Sequence, residues 1–374
     1  MAGIYIHVPF CKTKCHYCDF FSLATIRYRD EFFSAVLKEI GLRKDYLEVA
    51  PVETIYFGGG TPSLLQITYL REILDTIRMN FLVTANAEIT LEANPDDLSP
   101  DYLSALHDTG INRLSIGIQS FRGQDLASLN RVHNENQAIR CITDARAAGF
   151  ENLSIDLMYG IPGLDLAAWQ SNLDRFLSLE IPHLSAYWLT IEAGTALAGF
   201  IKKGKYPSPD EAAGAAHFKY LMDWAETNGY DHYEVSNYAR PGHYSRHNTA
   251  YWNGIPYLGL GPSAHSYNGI NRQWNVSNLS EYLKGLEEGT LRCETEIITG
   301  KQRYNEYLMT SLRTQWGCDL DYLRRLHAGW AMSTSRQAQK YIEIGWIRDD
   351  YEKLKVTGEG WFHLDGITAD LFMD

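Results

Sequence analysis

The residues with the clearest capacity for chemistry stand near the N-terminus, in Cys11-Lys12-Thr13-Lys14-Cys15-His16-Tyr17-Cys18. Three thiols within eight positions, out of six in a 374-residue chain, are spaced as metal ligands rather than as a disulfide framework. A structural zinc site takes four ligands, commonly in two separated pairs, and a ferredoxin-type run continues to further cysteines. Here Asp19 and Phe20 follow Cys18, and the next cysteine is Cys141. Three thiolates on a cubane 4Fe-4S cluster leave one iron without a protein ligand, and that open position is where substrate or cofactor chemistry takes place. His16 as a fourth ligand, or zinc completed by His7 or His16, are the alternatives this segment leaves open. Cys141 shares an apolar helical face with Ala138, Ile142 and Ala145, which reads as a buried, inert thiol.

The elements that must position this triad are β-rich runs alternating with helical periods up to about residue 230. Expected strands are Tyr5 to Val8, Thr54 to Phe57, Ala87 to Leu91, Arg113 to Ile118, Leu153 to Met158 and His183 to Thr190. Phe32, Phe33, Val36, Leu37 and Ile40 recur on one helical face after the first strand. Six such units predict an α/β fold, a partial (β/α)6 TIM-like barrel whose working loops follow the C-terminal ends of the strands. The cysteine loop follows the first strand directly. From Tyr230 to Trp274 the periodicity gives way to Gly, Asn, Pro and aromatic residues, which is loop chemistry. The chain beyond Gly300 reads as a smaller C-terminal α+β domain of helices with a β-hairpin, turning near Gly358 and Gly360. The expected division is a barrel over 1–230, an aromatic and His-rich connecting region over 231–299, and the C-terminal domain over 300–374.

Charge narrows the partners. Lys plus Arg number 34 against 46 Asp plus Glu, a formal charge of −12, which argues against a general electrostatic grip on nucleic acid or anionic lipid. Residues 301–374 hold ten Lys plus Arg and eleven Asp plus Glu without a basic stripe, so a DNA-binding winged helix is rejected there. No segment reaches the roughly 20 apolar residues that span a bilayer, and the N-terminus lacks a signal-peptide pattern; a cytoplasmic location is expected.

The CxxxCxxC spacing at the end of the first strand resembles the radical S-adenosylmethionine (SAM) superfamily. That resemblance implies a 4Fe-4S cluster on Cys11, Cys15 and Cys18, and SAM chelating the unique iron, with reductive cleavage to a 5′-deoxyadenosyl radical as the chemistry of the cofactor. Gly58-Gly59-Gly60-Thr61-Pro62, directly after the second strand, resembles the superfamily's GGGTP motif that contacts the methionyl amine. Glu92 and Gln119 end the third and fourth strands, where ribose hydroxyls and the methionyl carboxylate need partners. Arg131 could bind that carboxylate or orient Glu92, and Asp156, in an apolar strand, must have a definite partner.

Several segments narrow the likeness further. Tyr5 to Cys11, Phe57 to Pro62, Leu91 to Pro95, Ser115 to Phe121 and Ile155 to Pro162 are similar to the oxygen-independent coproporphyrinogen III oxidase group over essentially the whole chain. By that similarity Tyr5, Tyr17, Gly59, Gly60, Thr61, Glu92, Gln119, Arg131, Asp156 and Ala186 would line the SAM site. The oxidase carries an extra N-terminal segment and a further Cys two positions after the third cluster ligand; here that position is Phe20 and the chain begins almost at the first strand. His247-Asn248-Thr249-Ala250-Tyr251-Trp252 matches instead the HNxxYW motif of the HemW branch, the haem chaperones. Between Tyr230 and Asn275 four histidines, His232, His243, His247 and His265, stand among nine Tyr and Trp. A flat macrocycle with a central iron wants such aromatic walls and an imidazole or phenolate ligand.

The resemblance therefore implies haem as a ligand, with His247 either binding it directly or standing behind the site as a hydrogen-bonded support. It also implies delivery to a haem-requiring recipient such as a membrane-bound respiratory protein. The alternative function is the oxidase's radical oxidative decarboxylation of coproporphyrinogen.

Overall fold

The computed structural model describes residues 1–373. Strands β1 (Ala2–Val8), β2 (Val52–Gly59), β3 (Val83–Ala93), β4 (Arg113–Gln119), β5 (Asn152–Tyr159) and β6 (His183–Trp188) pair in parallel and in chain order. Their crossovers carry helices α1 (Arg29–Leu42), α2 (Ile67–Asn80), α3 (Pro100–His107), α4 (Gly123–Ser128), α5 (Glu135–Ala147) and α6 (Leu166–Ser178). The strands read as nearly continuous apolar runs because both faces are covered: all seven residues of β4 are buried, and six of seven in β1. Helix starts are marked locally. Asn134 and Gln137 form a reciprocal capping box on α5, each bond 3.0 Å, and Asp165 caps α6 by accepting from the Ala168 amide at 2.8 Å.

β1 and β6 are not paired with each other, so the barrel is open, as the partial-barrel expectation has it. After α7 (Ala196–Lys202) and α8 (Glu211–Thr227), the chain extends the sheet on both sides. β7 (Asp231–Glu234) and β8 (Asn237–Ala239) add antiparallel beyond β6. After α9 (Arg246–Trp252), β9 (Tyr257–Leu260) pairs in parallel with β1, followed by β10 (His265–Tyr267), β11 (Asn271–Asn275), α10 (Leu279–Glu287) and β12 (Cys293–Ile297). The stretch from Tyr230 to Trp274, expected as loop, is thus largely short strands and one helix. Strands of three to five residues are too brief to carry a readable alternation. Gly259 is one reason the pairing succeeds: a Cβ there would lie 2.0 Å from the His265 carbonyl oxygen.

The C-terminal segment contains α11 (Gly300–Ser311), β13 (Cys318–Asp319), α12 (Leu320–Leu326), α13 (Ala328–Glu343), the hairpin β14 (Ile347–Asp349) and β15 (Lys353–Val356), and α14 (Leu364–Asp370). It has its own apolar core, including Tyr304, Leu308, Leu323, Leu354 and Ile367.

One buried carboxylate ties the added strands to the barrel. Glu39 of α1 accepts from the Tyr282 hydroxyl at 2.6 Å, the Asn275 amide at 2.7 Å and the Gly261 backbone N–H at 2.8 Å. Glu39→Ala, which strands those donors, is expected to lower stability by about 3 kcal/mol, whereas Glu31→Ala on the exposed side of α1 should change it by less than about 0.5 kcal/mol. Urea unfolding of the two variants distinguishes them; equal effects would refute the role assigned to Glu39.

Candidate functional site

The loop carrying Cys11, Cys15 and Cys18 leaves the C-terminal end of β1, and all three thiols are free and half-buried. Its backbone is pinned at the start, where Cys11 N–H donates to the Leu23 carbonyl at 2.9 Å and Leu23 N–H to the Pro9 carbonyl at 2.7 Å. Side chains from the loops after β2, β3 and α4 hold the rest. Arg131 lies with Nη1 3.4 Å from Cys15 Sγ, while its Nη2 donates to Asn94 Oδ1 and the Gly117 carbonyl, both at 2.6 Å. Asn94 in turn donates to Thr61 Oγ1 at 3.3 Å, and Thr61 hydrogen-bonds the Cys11 thiol. Lys12 pairs with Asp96 and Asp97, and Asn130 Nδ2 donates to the Lys14 carbonyl at 3.0 Å. Burial raises the pKa of the Cys11 and Cys18 thiols, so ligation there must displace protons.

The donor set fits a cluster better than a zinc ion completed by histidine. His7 is engaged through Nε2 with the Phe21 carbonyl at 2.8 Å and through Nδ1 with the Tyr5 hydroxyl at 3.3 Å. His16 points Nδ1 at the Ser128 carbonyl, 3.3 Å away, and packs its ring edge on Phe200. Among the described residues no three His, Cys, Asp or Glu side chains converge on a point that one ion would occupy.

Gly58, Gly59 and Gly60 close against this loop. A Cβ on Gly59 would come within 2.7 Å of the His7 ring, and one on Gly60 within 2.6 Å of the Phe10 carbonyl. The missing side chains make room for β1 and the cysteine loop. Thr61 is buried behind Cys11.

Further along the strand ends lie the acidic residues. Glu92 accepts from the Tyr56 hydroxyl at 2.8 Å and the Gly59 N–H at 3.2 Å, and burial lifts its pKa to about 7. Asp156 accepts from Ser115 at 3.3 Å and from Ser185, and burial lifts it to about 6. Arg113, almost wholly buried, opposes both shifts with its positive charge, and Arg131 also opposes that of Asp156. Tyr5 stacks on Tyr56 at 6.0 Å. Gln119 sits at a β-bulge with φ 69°, its amide beside Gly117 and so beside Arg131. Tyr17, its pKa raised by burial, is close to Arg131 and Cys15, and Ala186 is buried in register with Leu157.

Thus Cys11, Cys15, Tyr17, Thr61, Gln119 and Arg131 form one group, and Tyr5, Gly59, Glu92 and Asp156 a neighbouring one. Sequence reasoning missed Tyr56, Asn94 and Arg113. Asn94 had a signal, an amide just before Pro95 at a strand end; a buried Arg opening an apolar strand was the signal for Arg113.

His247 occupies the barrel interior. Its Nδ1 meets Thr54 Oγ1 at 2.8 Å, its Nε2 meets the Tyr251 hydroxyl at 2.9 Å, and its ring stacks on Tyr56 at 4.9 Å. Burial and Arg113 depress its pKa to about 3. Both ring nitrogens of His247 are thus engaged in hydrogen bonds within the protein. The other end of α9 reaches a different space. Tyr251 and Trp252 line a cleft of about 820 Å³ between the barrel mouth and the C-terminal segment, together with Phe20, Phe21 and Trp316.

These features define a protein of the radical SAM class. The model of the Radical SAM superfamily matches residues 5–175. The heme chaperone HemW of Mycobacterium tuberculosis is 34% identical over 99% of this chain and 94% of its own length. That of Lactococcus lactis is 32% identical over 96% of this chain and 93% of its own length. The chain belongs to the HemW family within the radical SAM superfamily. A solved structure of coproporphyrinogen III oxidase (HemN) from Escherichia coli superposes with a TM-score of 0.86 at 24% identity, covering 100% of this chain and 90% of that one, and shares the fold. The family implies a 4Fe-4S cluster and SAM. Among the described residues no helix is long and apolar enough to cross a membrane.

Replacing Cys11, Cys15 or Cys18 by Ser is expected to abolish the brown thiolate-to-iron absorbance of reconstituted protein. Cys141, Cys293 and Cys318 lie elsewhere, Cys141 and Cys318 in apolar cores, and their Ser variants should keep it. Equal loss in both sets would reject the ligand assignment. Glu92 gives a pH prediction. Its folded pKa lies above that of an unfolded Glu, so its contribution to stability is complete below about pH 4.5 and is lost as pH rises through about 7. In cluster-free protein Glu92→Gln should therefore flatten the fall in melting temperature across that window, and a parallel curve for parent and variant would contradict the raised value.

Proposed function

We propose that this chain is a haem chaperone that carries a 4Fe-4S cluster on Cys11, Cys15 and Cys18, binds SAM, holds haem and passes it to haem-requiring membrane proteins. The observation that carries the reading is likeness along almost the whole chain to proteins named heme chaperone HemW. Support from the site is chemical: three thiols on one loop, an aromatic cleft beside it, and polar groups at the neighbouring strand ends.

Cys11, Cys15 and Cys18 would hold the cluster, which in its reduced state would supply the electron for cleavage of the SAM sulfonium. The chain's own groups hold and orient. Arg131 places a cation beside Cys15, where it offsets thiolate charge. Gln119, Glu92 and Asp156 present polar atoms at the strand ends for ribose hydroxyls and the methionyl group. At neutral pH Glu92 is close to half-protonated, so it can donate as well as accept. The apolar strands beneath exclude water from this end of the barrel.

Cluster-reconstituted protein mixed with haem is expected to keep a Soret band through gel filtration and to lose it to membranes containing a haem-free respiratory recipient. In an anaerobic assay with dithionite, SAM and coproporphyrinogen it should form no protoporphyrinogen. Failure to retain haem, or formation of protoporphyrinogen, would overturn the chaperone reading in favour of the oxidase.

A further inference from the structure

The cleft between the barrel mouth and the C-terminal segment is lined by both aromatic and cationic side chains. Its rings include Phe20, which is 70% exposed, Phe21, Trp252 and Trp316. Its cations are Arg272, Arg303, Arg325 and Lys353. Arg272 is neutralised by Glu306 through two parallel bonds of 2.8 and 3.0 Å. The other three have no carboxylate partner among the described residues: Arg303 donates to the Gly269 carbonyl at 3.0 Å, and Arg325 lies 5.9 Å from the Tyr322 ring centre. Asp319, the second carboxylate of this cleft, is committed to the start of α12, accepting from the Asp321 and Tyr322 amides at 2.8 and 3.1 Å. Four cations against two carboxylates in one cavity of a chain with formal charge −12 mark a place for an anion.

Two histidines line the cleft, and they differ. His7 has both ring nitrogens engaged. His265, on β10, is exposed, is stacked 6.0 Å from Trp274, and makes no side-chain hydrogen bond among the described residues. An unbonded imidazole stacked on Trp274, in a cleft lined by aromatic rings and cations, is complementary to a flat, apolar macrocycle that bears a metal at its centre and carboxylates at one edge. The volume of about 820 Å³ is in the range that encloses a ligand of that size.

Resting on the haem reading above, we propose that this cleft is the haem seat, with His265 as axial ligand to the iron and Arg303 and Arg325 binding the two propionates. His247 then supports the seat from behind through α9, whose Tyr251 and Trp252 form part of its wall.

Ferric haem titrated into the full-length, cluster-reconstituted chain tests the assignment. His265→Ala is expected to shift the Soret band away from that of the parent and to weaken binding by about tenfold or more, with added imidazole restoring the parent spectrum. Arg303→Gln combined with Arg325→Gln should weaken binding of haem but leave binding of haem dimethyl ester unchanged. If the parent binds haem and His265→Ala gives the same band and affinity, or if His247→Gln alone removes the band, the ligand assignment falls while the chaperone reading stands. Equal weakening of haem and its ester would overturn the propionate assignment. A parent chain that retains no haem would remove both.

Discussion

Close backbone approach at the ends of β1 and β2 governs the rest of the site. Gly60 donates to the Val8 carbonyl at 2.7 Å, and its α-carbon faces the Phe10 carbonyl where no Cβ fits. Gly59 offers the same clearance to the His7 ring and presents its N–H to Glu92. Any side chain at these positions would push the start of the cysteine loop off the sheet. The loop would then lose the hydrogen bonds by which Leu23, Thr61 and, through Asn94, Arg131 hold it. The thiols are thus placed by contacts from the loops after β1, β2, β3 and α4, which is how a flexible loop acquires the fixed geometry that cluster ligands require.

A second constraint is the cost of charge in the barrel interior. Glu92 and Asp156 are half-buried, Arg113 acts on both and Arg131 on Asp156, and desolvation dominates the shift of each. The interior answers with neutral hydrogen-bonding groups, Tyr56 on Glu92 and Ser115 with Ser185 on Asp156. The same Arg113 helps keep His183 and His247 unprotonated. Neutral His247 therefore donates through one ring nitrogen and accepts through the other without carrying a buried charge, and α9 is locked to the barrel by its own aromatic motif. Glu88 completes the lock by accepting the Arg246 and His247 amides at 3.2 and 3.1 Å.

Through α9 the barrel interior and the cleft are one construction. Its His247 end is stacked on Tyr56, the ring that also donates to Glu92, while its Tyr251 and Trp252 end forms cleft wall against the C-terminal segment. A change at the strand-end carboxylates and a change in the cleft are therefore separated by two aromatic side chains.

Much of this was legible in the amino-acid order. The cysteine spacing, the six parallel strands with their helices, and the polar residues at strand ends are set by local pattern: alternation, capping residues and the turn chemistry of Gly and Pro. Those signals act between near neighbours in the chain and need no fold to be read. What they could not convey was the meaning of side chains whose partners are far away in sequence. The packing of Gly59 and Gly60 against His7 and Phe10, and the Thr54 and Tyr251 partners on the two nitrogens of His247, are contacts of this kind. The short strands between Tyr230 and Trp274 looked like loop because they are stabilised by pairing with β1 and β6 rather than by their own periodicity. Only the tertiary structure decided these points, since burial and hydrogen-bond satisfaction are properties of three-dimensional neighbours that residue order does not list.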